Sequence, residues 1–369
     1  MTPKYSKVAV LTKIGQPLEI QDIPIPENLE PGAILAKVDA AAICGSDVHE
    51  VKGEIPGFNW DKDLPMIPGH EIAGTIVKLG PGVEVDSIGE PLKIGDRIVW
   101  SNSYCGHCYH CTITHNASLC TQRKPYGFQS PKKFPYIAGG YTEYAYVFPG
   151  SGRVKIPDNV TSDLASTATC ALRTVVQGFD RIGPIGYTDT VVIQGAGPLG
   201  LYSTAMARWL GAKRIITIGA PQGRLDVARK FGADSVISVL ETDEDSRVKQ
   251  ILEMTKGGAD IVIEMSGAKS AFPEGLKMVR AGGRYLNVGQ GVEYHVSISP
   301  YSIMRKQLQI IGSFSGTIAH YWKALQFLSV AQSRFDLNQI ISNRYPLEDV
   351  NLALKQMDSF KDTKAVLIP

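Results

Sequence analysis

Cysteine and histidine spacing is where chemistry first shows in this chain. Cys105-Gly-His-Cys108-Tyr-His-Cys111, with Cys120 after a further eight residues, sets four thiols within sixteen positions. Short C-x-x-C spacings let two sulfurs reach one tetrahedral ion, and four sulfurs leave no open position, so this lobe reads as a closed, structural zinc. His107, His110 and His115 are alternative ligands, but with four thiolates at hand they read as solvated bystanders. A nucleic-acid-binding zinc knuckle competes, yet no basic or stacking surface surrounds the lobe. A second set is dispersed: Cys44-Gly-Ser46-Asp47-Val-His49, then Gly69-His70-Glu71, then Cys170. Two cysteines and one histidine provide three ligands and leave the fourth zinc position for water or an alcohol. Singly, each is more often a core cysteine or a surface histidine; a dinucleotide site elsewhere in the chain makes the combination meaningful.

That site is Val-Val-Ile-Gln-Gly195-Ala-Gly197-Pro198-Leu199-Gly200. Gly195 permits the tight turn, Gly197 lets backbone approach a pyrophosphate, and Gly200 allows close helix–strand packing. The helix N-terminus then stabilises the phosphate charge.

The elements that must position these groups follow from periodicity. From Thr190 onward, apolar strands (Val191–Ile193, Ile215–Ile218, Val236–Val239, Ile261–Glu264, Tyr285–Val288 and Leu308–Ile311) alternate with helical spacing. Leu199, Tyr202, Met206, Trp209 and Leu210 share one helix face, closed by Gly211; a second helix carries Leu225, Ala228 and Phe231 and ends at Gly232. Six strands with intervening helices predict an α/β, doubly wound, parallel Rossmann sheet. The first 150 residues hold 14 of the 22 prolines and short alternating segments at Ile34–Val38, Ile72–Val77, Arg97–Trp100 and Tyr144–Val147. They suit a partly β, loop-rich domain. A helix from about Asp163 to Phe179 bridges the two regions. The expected domains are 1–168 with 312–369, including a zinc lobe at about 101–122, and 169–311 for the dinucleotide. Net charge is only +2 and no run exceeds two adjacent Lys/Arg, which disfavours a nucleic-acid or membrane-surface binder. The start lacks a signal peptide's apolar core, and Thr190–Ala207 is broken by glycines and a proline, so a cytoplasmic protein without a membrane span is expected.

Taken together, the Cys-Gly-Ser-Asp-x-His segment, Gly-His-Glu, the four-cysteine lobe, the Gly-rich turn and the domain order resemble the zinc-dependent medium-chain alcohol dehydrogenases over essentially the whole chain. The resemblance implies a GroES-like β fold for the N-terminal domain, an active site in the cleft between domains, two zinc ions per chain, and hydride transfer between an alcohol and NAD or NADP. It implies that Cys44, His70 and Cys170 hold the catalytic zinc, with Glu71 a neighbouring carboxylate and Asp47 the acid that holds the His70 imidazole. Ser46 and His49 match the family's proton relay. Thr174, four residues after Cys170 and so on the same helix face, matches a position beside the nicotinamide. Lys364 matches a basic residue on the pyrophosphate, with a solvated C-terminal lysine as the alternative. Pro198, Leu199 and Ser266 join the expected cofactor contacts. A gap of eight residues before Cys120, one more than usual, departs from the pattern. A homodimer or homotetramer is implied. A non-catalytic zinc- and nucleotide-binding sensor is the competing class.

Substrate is less legible. Ser101, four residues before Cys105, lies where many simple alcohol dehydrogenases place a bulky aromatic, so a wider pocket tolerant of polar groups is expected. Loops Val51–Leu64 and Gln122–Ala138 carry Trp60, Tyr126, Phe128, Phe134 and Tyr136, which either reach the cleft or cover surface. A secondary, cyclic or polyhydroxylated alcohol is favoured over ethanol, with sugar, polyol or amino-alcohol oxidation as the alternative. At the end of the second strand the acid typical of NAD sites is replaced by Gly219. That leaves room for a 2′-phosphate, for which Arg224 is a charge-assisted donor, although the same arginine could equally bond a ribose hydroxyl of NAD, so NADP is expected to be accepted alongside NAD.

Overall fold

Alternating and β-branched sequences build the first sheets. In the computed structural model, which describes residues 3–57, 59–289 and 292–369, β1 (Tyr5–Val10) and β2 (Glu19–Pro24) pair antiparallel. Then come β3 (Ile34–Ala42), β4 (Glu71–Leu79), β5 (Arg97–Ser103), β6 (Tyr144–Val147) and β7 (Ser151–Lys155). The expected short segments all fall inside these strands. β3 and β4 pair along their whole length, with Ala42 opposite Glu71. Their inward residues, among them Ile34, Val38, Ile72 and Ile76, close a core with Trp100, Tyr126, Tyr141 and Tyr146.

The second unit holds β8 (Thr190–Gln194), β9 (Arg214–Gly219), β10 (Ser235–Ser238), β11 (Ala259–Glu264), β12 (Val279–Asn287) and β13 (Gln309–Gly312). All pairs are parallel, in the order β10-β9-β8-β11-β12-β13. The six-stranded doubly wound sheet is therefore present. Its order reverses between β8 and β11, and such a switch point is where open α/β sheets bind ligands. Helices Pro198–Trp209 and Gln222–Lys230 match the predicted ones. Trp209 and Leu210, however, are exposed, because the buried face of the first helix stops at Ala207.

The chain then returns to the first unit with β14 (Asn343–Pro346) and β15 (Ala365–Ile368), completing a seven-stranded sheet, β14-β15-β3-β4-β5-β7, with β6 beside β3. The units divide as 1–173, 315–330 and 341–369 against 174–314 and 331–340. The division thus lies a few residues beyond the expected 168 and 311, and 331–340 joins the second unit. The bridging helix is not uniform. Ser162–Thr167 and Arg173–Ile182 are α-helical, but Ala168–Leu172 forms a π turn around Cys170. No helix among the described residues is long and apolar enough to cross a membrane.

Candidate active site and metal centres

Asp47 organises the first constellation. Helix Gly45–Val51 begins as soon as β3 ends, and Asp47, in its first turn, accepts the Cys44 backbone N–H at 2.8 Å as half of a capping box. Its other oxygen lies 3.0 Å from His70 Nδ1. Pairing of β3 with β4 places His70 and Glu71 beside the end of β3; helix Ser162–Thr167 packs on the same two strands, and the π turn carrying Cys170 that follows it packs on β4 and β5. Sulfurs of Cys44 and Cys170, an imidazole nitrogen of His70 and a carboxyl oxygen of Glu71 consequently lie within 4.8 Å of one another. With Nδ1 facing Asp47, His70 presents Nε2 to that cluster, the arrangement that fixes a metal-binding imidazole. Burial works against the Asp47 charge, but His70, the Cys44 N–H and the Tyr141 hydroxyl hold its pKa below the ordinary value.

Tyr141 is a site residue that sequence reasoning missed. Its hydroxyl donates to Asp47 at 2.7 Å. The approach requires Gly69, which has φ +87° and where a Cβ would lie 2.5 Å from the Tyr141 ring. Glu50 was missed as well. It is buried next to Asp47 without a hydrogen-bond partner among the described residues, and burial together with the Asp47 charge raises its pKa well above the carboxylate range.

Lys364 needs a correction. It is neither solvated nor presented to a pyrophosphate: only 1% exposed, it donates to Glu71 at 2.7 Å and to the Ile43 carbonyl at 3.0 Å. β15 pairs with the end of β3, which draws the residue just before it against Ile43. Burial pushes the Glu71 carboxyl up to about 8 against the pull of the Lys364 ammonium. Ser46 is half-buried and makes no hydrogen bond among the described residues. His49, three residues on, sits 2.6 Å from Glu54 at the surface.

The second constellation closes on itself. Sγ atoms of Cys105, Cys108, Cys111 and Cys120 all lie within 4.8 Å, with separations of 3.5 Å (108 to 111), 3.6 Å (120 to 105) and 4.0 Å (105 to 111). Four sulfurs at 2.3 Å from a tetrahedral zinc would stand about 3.8 Å apart, so the lobe fits zinc without rearrangement. The Cys111 backbone N–H holds the Cys108 thiol below its ordinary pKa, which favours the thiolate. His107 and His115 are exposed, and His110 packs edge-on to Tyr109. The eight-residue gap, 112–119, starts at the last residue of helix Tyr109–Thr112 and ends in a short 3-10 turn, Ala117–Leu119.

In the second unit Gly195 has φ +119°, and a Cβ on Gly200 would lie 1.9 Å from the Gly195 carbonyl oxygen. A Cβ on Gly197 meets nothing within 4 Å, as a ligand-approach position requires. Pro198 opens the helix and Leu199 is half-buried. Arg224 is half-buried on the following helix. Three expectations change. Gly219 leaves no space for a phosphate through a missing side chain, because a Cβ there would lie 2.5 Å from Ala196 Cβ and 2.7 Å from its nitrogen. Thr174 is buried, and the intervening π turn, with its i→i+5 repeat, removes the i+4 argument that put it on the face of Cys170. The Ser266 hydroxyl donates to Glu264 at 2.6 Å rather than standing free. In the first unit, Ser101 is fully buried, its hydroxyl between the Asn102 carbonyl and the Gly152 N–H. Tyr126 is a core residue bonded to Ser151, whereas Phe134 remains exposed.

Known proteins resemble the chain over nearly its whole length. Residues 30–158 match the alcohol dehydrogenase GroES-like domain, and residues 198–330 the zinc-binding dehydrogenase domain. The chain is 35% identical to 5-exo-hydroxycamphor dehydrogenase of Pseudomonas putida, covering 95% of each. It is 31% identical to L-threonine 3-dehydrogenase of Escherichia coli, covering 96% of this chain and 97% of that one. A solved alcohol dehydrogenase from Thermotoga maritima superposes with a TM-score of 0.92 at 34% identity, over 99% of both chains. The chain belongs to the zinc-dependent medium-chain alcohol dehydrogenase family. It is an oxidoreductase acting on CH–OH groups with zinc and a nicotinamide dinucleotide.

Proposed function

We propose that this enzyme oxidises a secondary alcohol, cyclic or polyhydroxylated, reversibly to the ketone, with one catalytic and one structural zinc per chain and with NADP accepted beside NAD. The observation that carries the site assignment is the convergence of Cys44, His70 and Cys170 with Asp47 on the far nitrogen of His70. Zinc on those three ligands supplies, when bound, the Lewis acidity that lowers the alcohol's pKa, and the dinucleotide supplies the hydride acceptor. The protein's own groups do the rest. Asp47 holds His70 in one tautomer. Lys364 holds the Glu71 carboxyl at the edge of the cluster. Ser46 and His49, at i and i+3, are neighbours on one helix face and carry the alcohol proton outward to the half-exposed His49–Glu54 pair. Support for the substrate class comes from the names of two relatives, which put the reacting hydroxyl on an internal carbon, at position 5 and position 3. Support for NADP is the lack of any carboxylate between Gly219 and Arg224. The test is a panel of primary and secondary alcohols with both dinucleotides, beside metal analysis of wild type and Cys44→Ala. Two zincs, falling to one with loss of turnover in the variant, are expected; preference for short primary alcohols would sink the substrate assignment.

A further inference from the structure

The carboxyl edge of the parallel sheet carries a buried acid to which the hydride and proton steps assign no part. Glu264 is the last residue of β11 and is completely buried. Its Oε1 accepts from the Ser266 N–H at 2.6 Å, the Ser266 hydroxyl at 2.6 Å and the Gly267 N–H at 2.8 Å. Its Oε2 accepts from the Gly289 N–H at 3.2 Å, beyond the end of β12. One side chain therefore ties the loop leaving β11 to the loop leaving β12. The Ser266 hydroxyl also accepts the Ala268 N–H at 3.1 Å, so it belongs to the knot. Backbones here touch directly. A Cβ on Gly289 would lie 2.4 Å from the Met265 carbonyl carbon, and one on Gly195 would lie 3.0 Å from the same atom. The Gly-rich turn, the β11 loop and the β12 loop thus form one stack with Glu264 beneath it.

We propose that Glu264 is the positioning residue that pre-forms the nicotinamide half of the dinucleotide site. A doubly wound dinucleotide sheet is two mononucleotide halves joined at the switch point. The half built on β8, β9 and β10 contains the Gly-rich turn and the strand end at Gly219, where pyrophosphate and adenosine ribose lie. The half built on β11, β12 and β13 takes the other nucleotide, and the loops tied by Glu264 are its walls. Without the carboxyl group, the Ser266 and Gly267 N–H groups and the Ser266 hydroxyl lose their acceptor, and the Gly289 N–H keeps only its 3.1 Å bond to the Glu264 backbone carbonyl, so the β11 loop must turn its donors elsewhere. The inference rests on the dinucleotide reading of the site.

The experiment is calorimetric titration of the full-length, zinc-loaded protein and its Glu264→Gln variant with NADH or NADPH, whichever the wild type binds, and with AMP. The amide of Gln turns a donor toward one of the N–H groups that Glu264 accepts. Binding of the dinucleotide should weaken by ~10-fold or more, and that of AMP by less than ~3-fold, a tenfold loss corresponding to about 1.4 kcal/mol. Equal weakening of both ligands, or of neither, overturns the role of Glu264. Should the variant fail to fold, hydrogen exchange on the unmodified protein decides: the Ser266 and Gly267 amides, held by the carboxyl group, are expected to be protected before any dinucleotide is added. Fast exchange that slows only on binding overturns pre-formation. A wild type that binds neither dinucleotide overturns the reading of the site itself, a result distinct from the others.

Discussion

At the scale of the residue, one carboxylate does most of the positioning. Asp47 accepts from the Cys44 N–H and the Tyr141 hydroxyl and faces His70, so two metal-ligand segments and a distant tyrosine meet on one side chain. Removing an outer partner of a metal-binding histidine commonly costs 10–100-fold in affinity or activity. Tyr141→Phe takes one of the two hydrogen bonds that Asp47 accepts and leaves its Oδ1 facing His70, so the expected effect is ~10-fold weaker zinc retention at the proposed catalytic cluster, at the lower end of that range. Competition against a chromogenic chelator measures it, and the four-thiol lobe should hold its ion unchanged. Equal loss from both sites would show that Tyr141 supports the domain and not the metal centre.

At the scale of the element, the glycines of the dinucleotide turn separate into two physical kinds. Gly200 has no space for a methyl group, whereas Gly197 is open. Gly200→Ala should lower the melting temperature and weaken dinucleotide binding together. Gly197→Ala should leave the melting temperature within about 2 °C while weakening binding, because its methyl group meets only the ligand. Melting curves with and without dinucleotide distinguish the two. The helix leading to Cys170 offers a pH test. Asp163, in its first turn, is paired with Arg344, whose Nε lies 2.7 Å away. Burial raises its pKa, but the Thr161 hydroxyl, Arg344 and the Leu164 N–H together take it below the ordinary 3.8. A depressed native pKa stabilises the fold above that ordinary value, and the stabilisation disappears as pH falls through the native one. Asp163→Asn should therefore cost about 1 kcal/mol at neutral pH and progressively less below pH 4. A stability difference that is flat across that range would contradict the pairing.

At the scale of the whole molecule, the two zinc sites proposed above, of different kinds, predict two stages of metal loss. An ion held by the four-thiol lobe would be closed off, whereas one on Cys44, His70 and Cys170 would keep a position for substrate. Dilute chelator should abolish turnover while the circular dichroism spectrum stays native, and unfolding should follow only when the second ion is lost. Zinc restores activity after the first stage. Simultaneous loss of activity and fold would contradict the division. The dinucleotide preference needs a probe away from Gly219. Gly219→Asp, which would put an acid at the end of the second strand, drives a side chain into Ala196 and confounds specificity with folding. Arg224→Ala is the cleaner variant, expected to lower kcat/KM for NADP at least ~10-fold more than for NAD if the arginine pairs with the 2′-phosphate.

Features carried by short stretches of chain were determined by the sequence itself. Strand and helix periods, the spacing of Cys105 to Cys111 and the Gly-rich turn are local, set by backbone geometry within a few residues. The parallel sheet and the zinc lobe could therefore be read directly. The dispersed cluster of Cys44, His70 and Cys170 became legible because each residue type brings its own metal chemistry and because the family pattern is shared. What only the tertiary structure decided involves partners far apart in sequence. Lys364 turned from a cofactor contact into a buried partner of Glu71 because β15 pairs with β3. Tyr141 became a support of Asp47 because Gly69 leaves a gap the size of its ring. Gly219 lost its apparent space to Ala196, and Ser266 turned inward to Glu264. Close packing sets these contacts to within fractions of an ångström, and residue type and spacing do not encode which distant atoms will fill the space beside them.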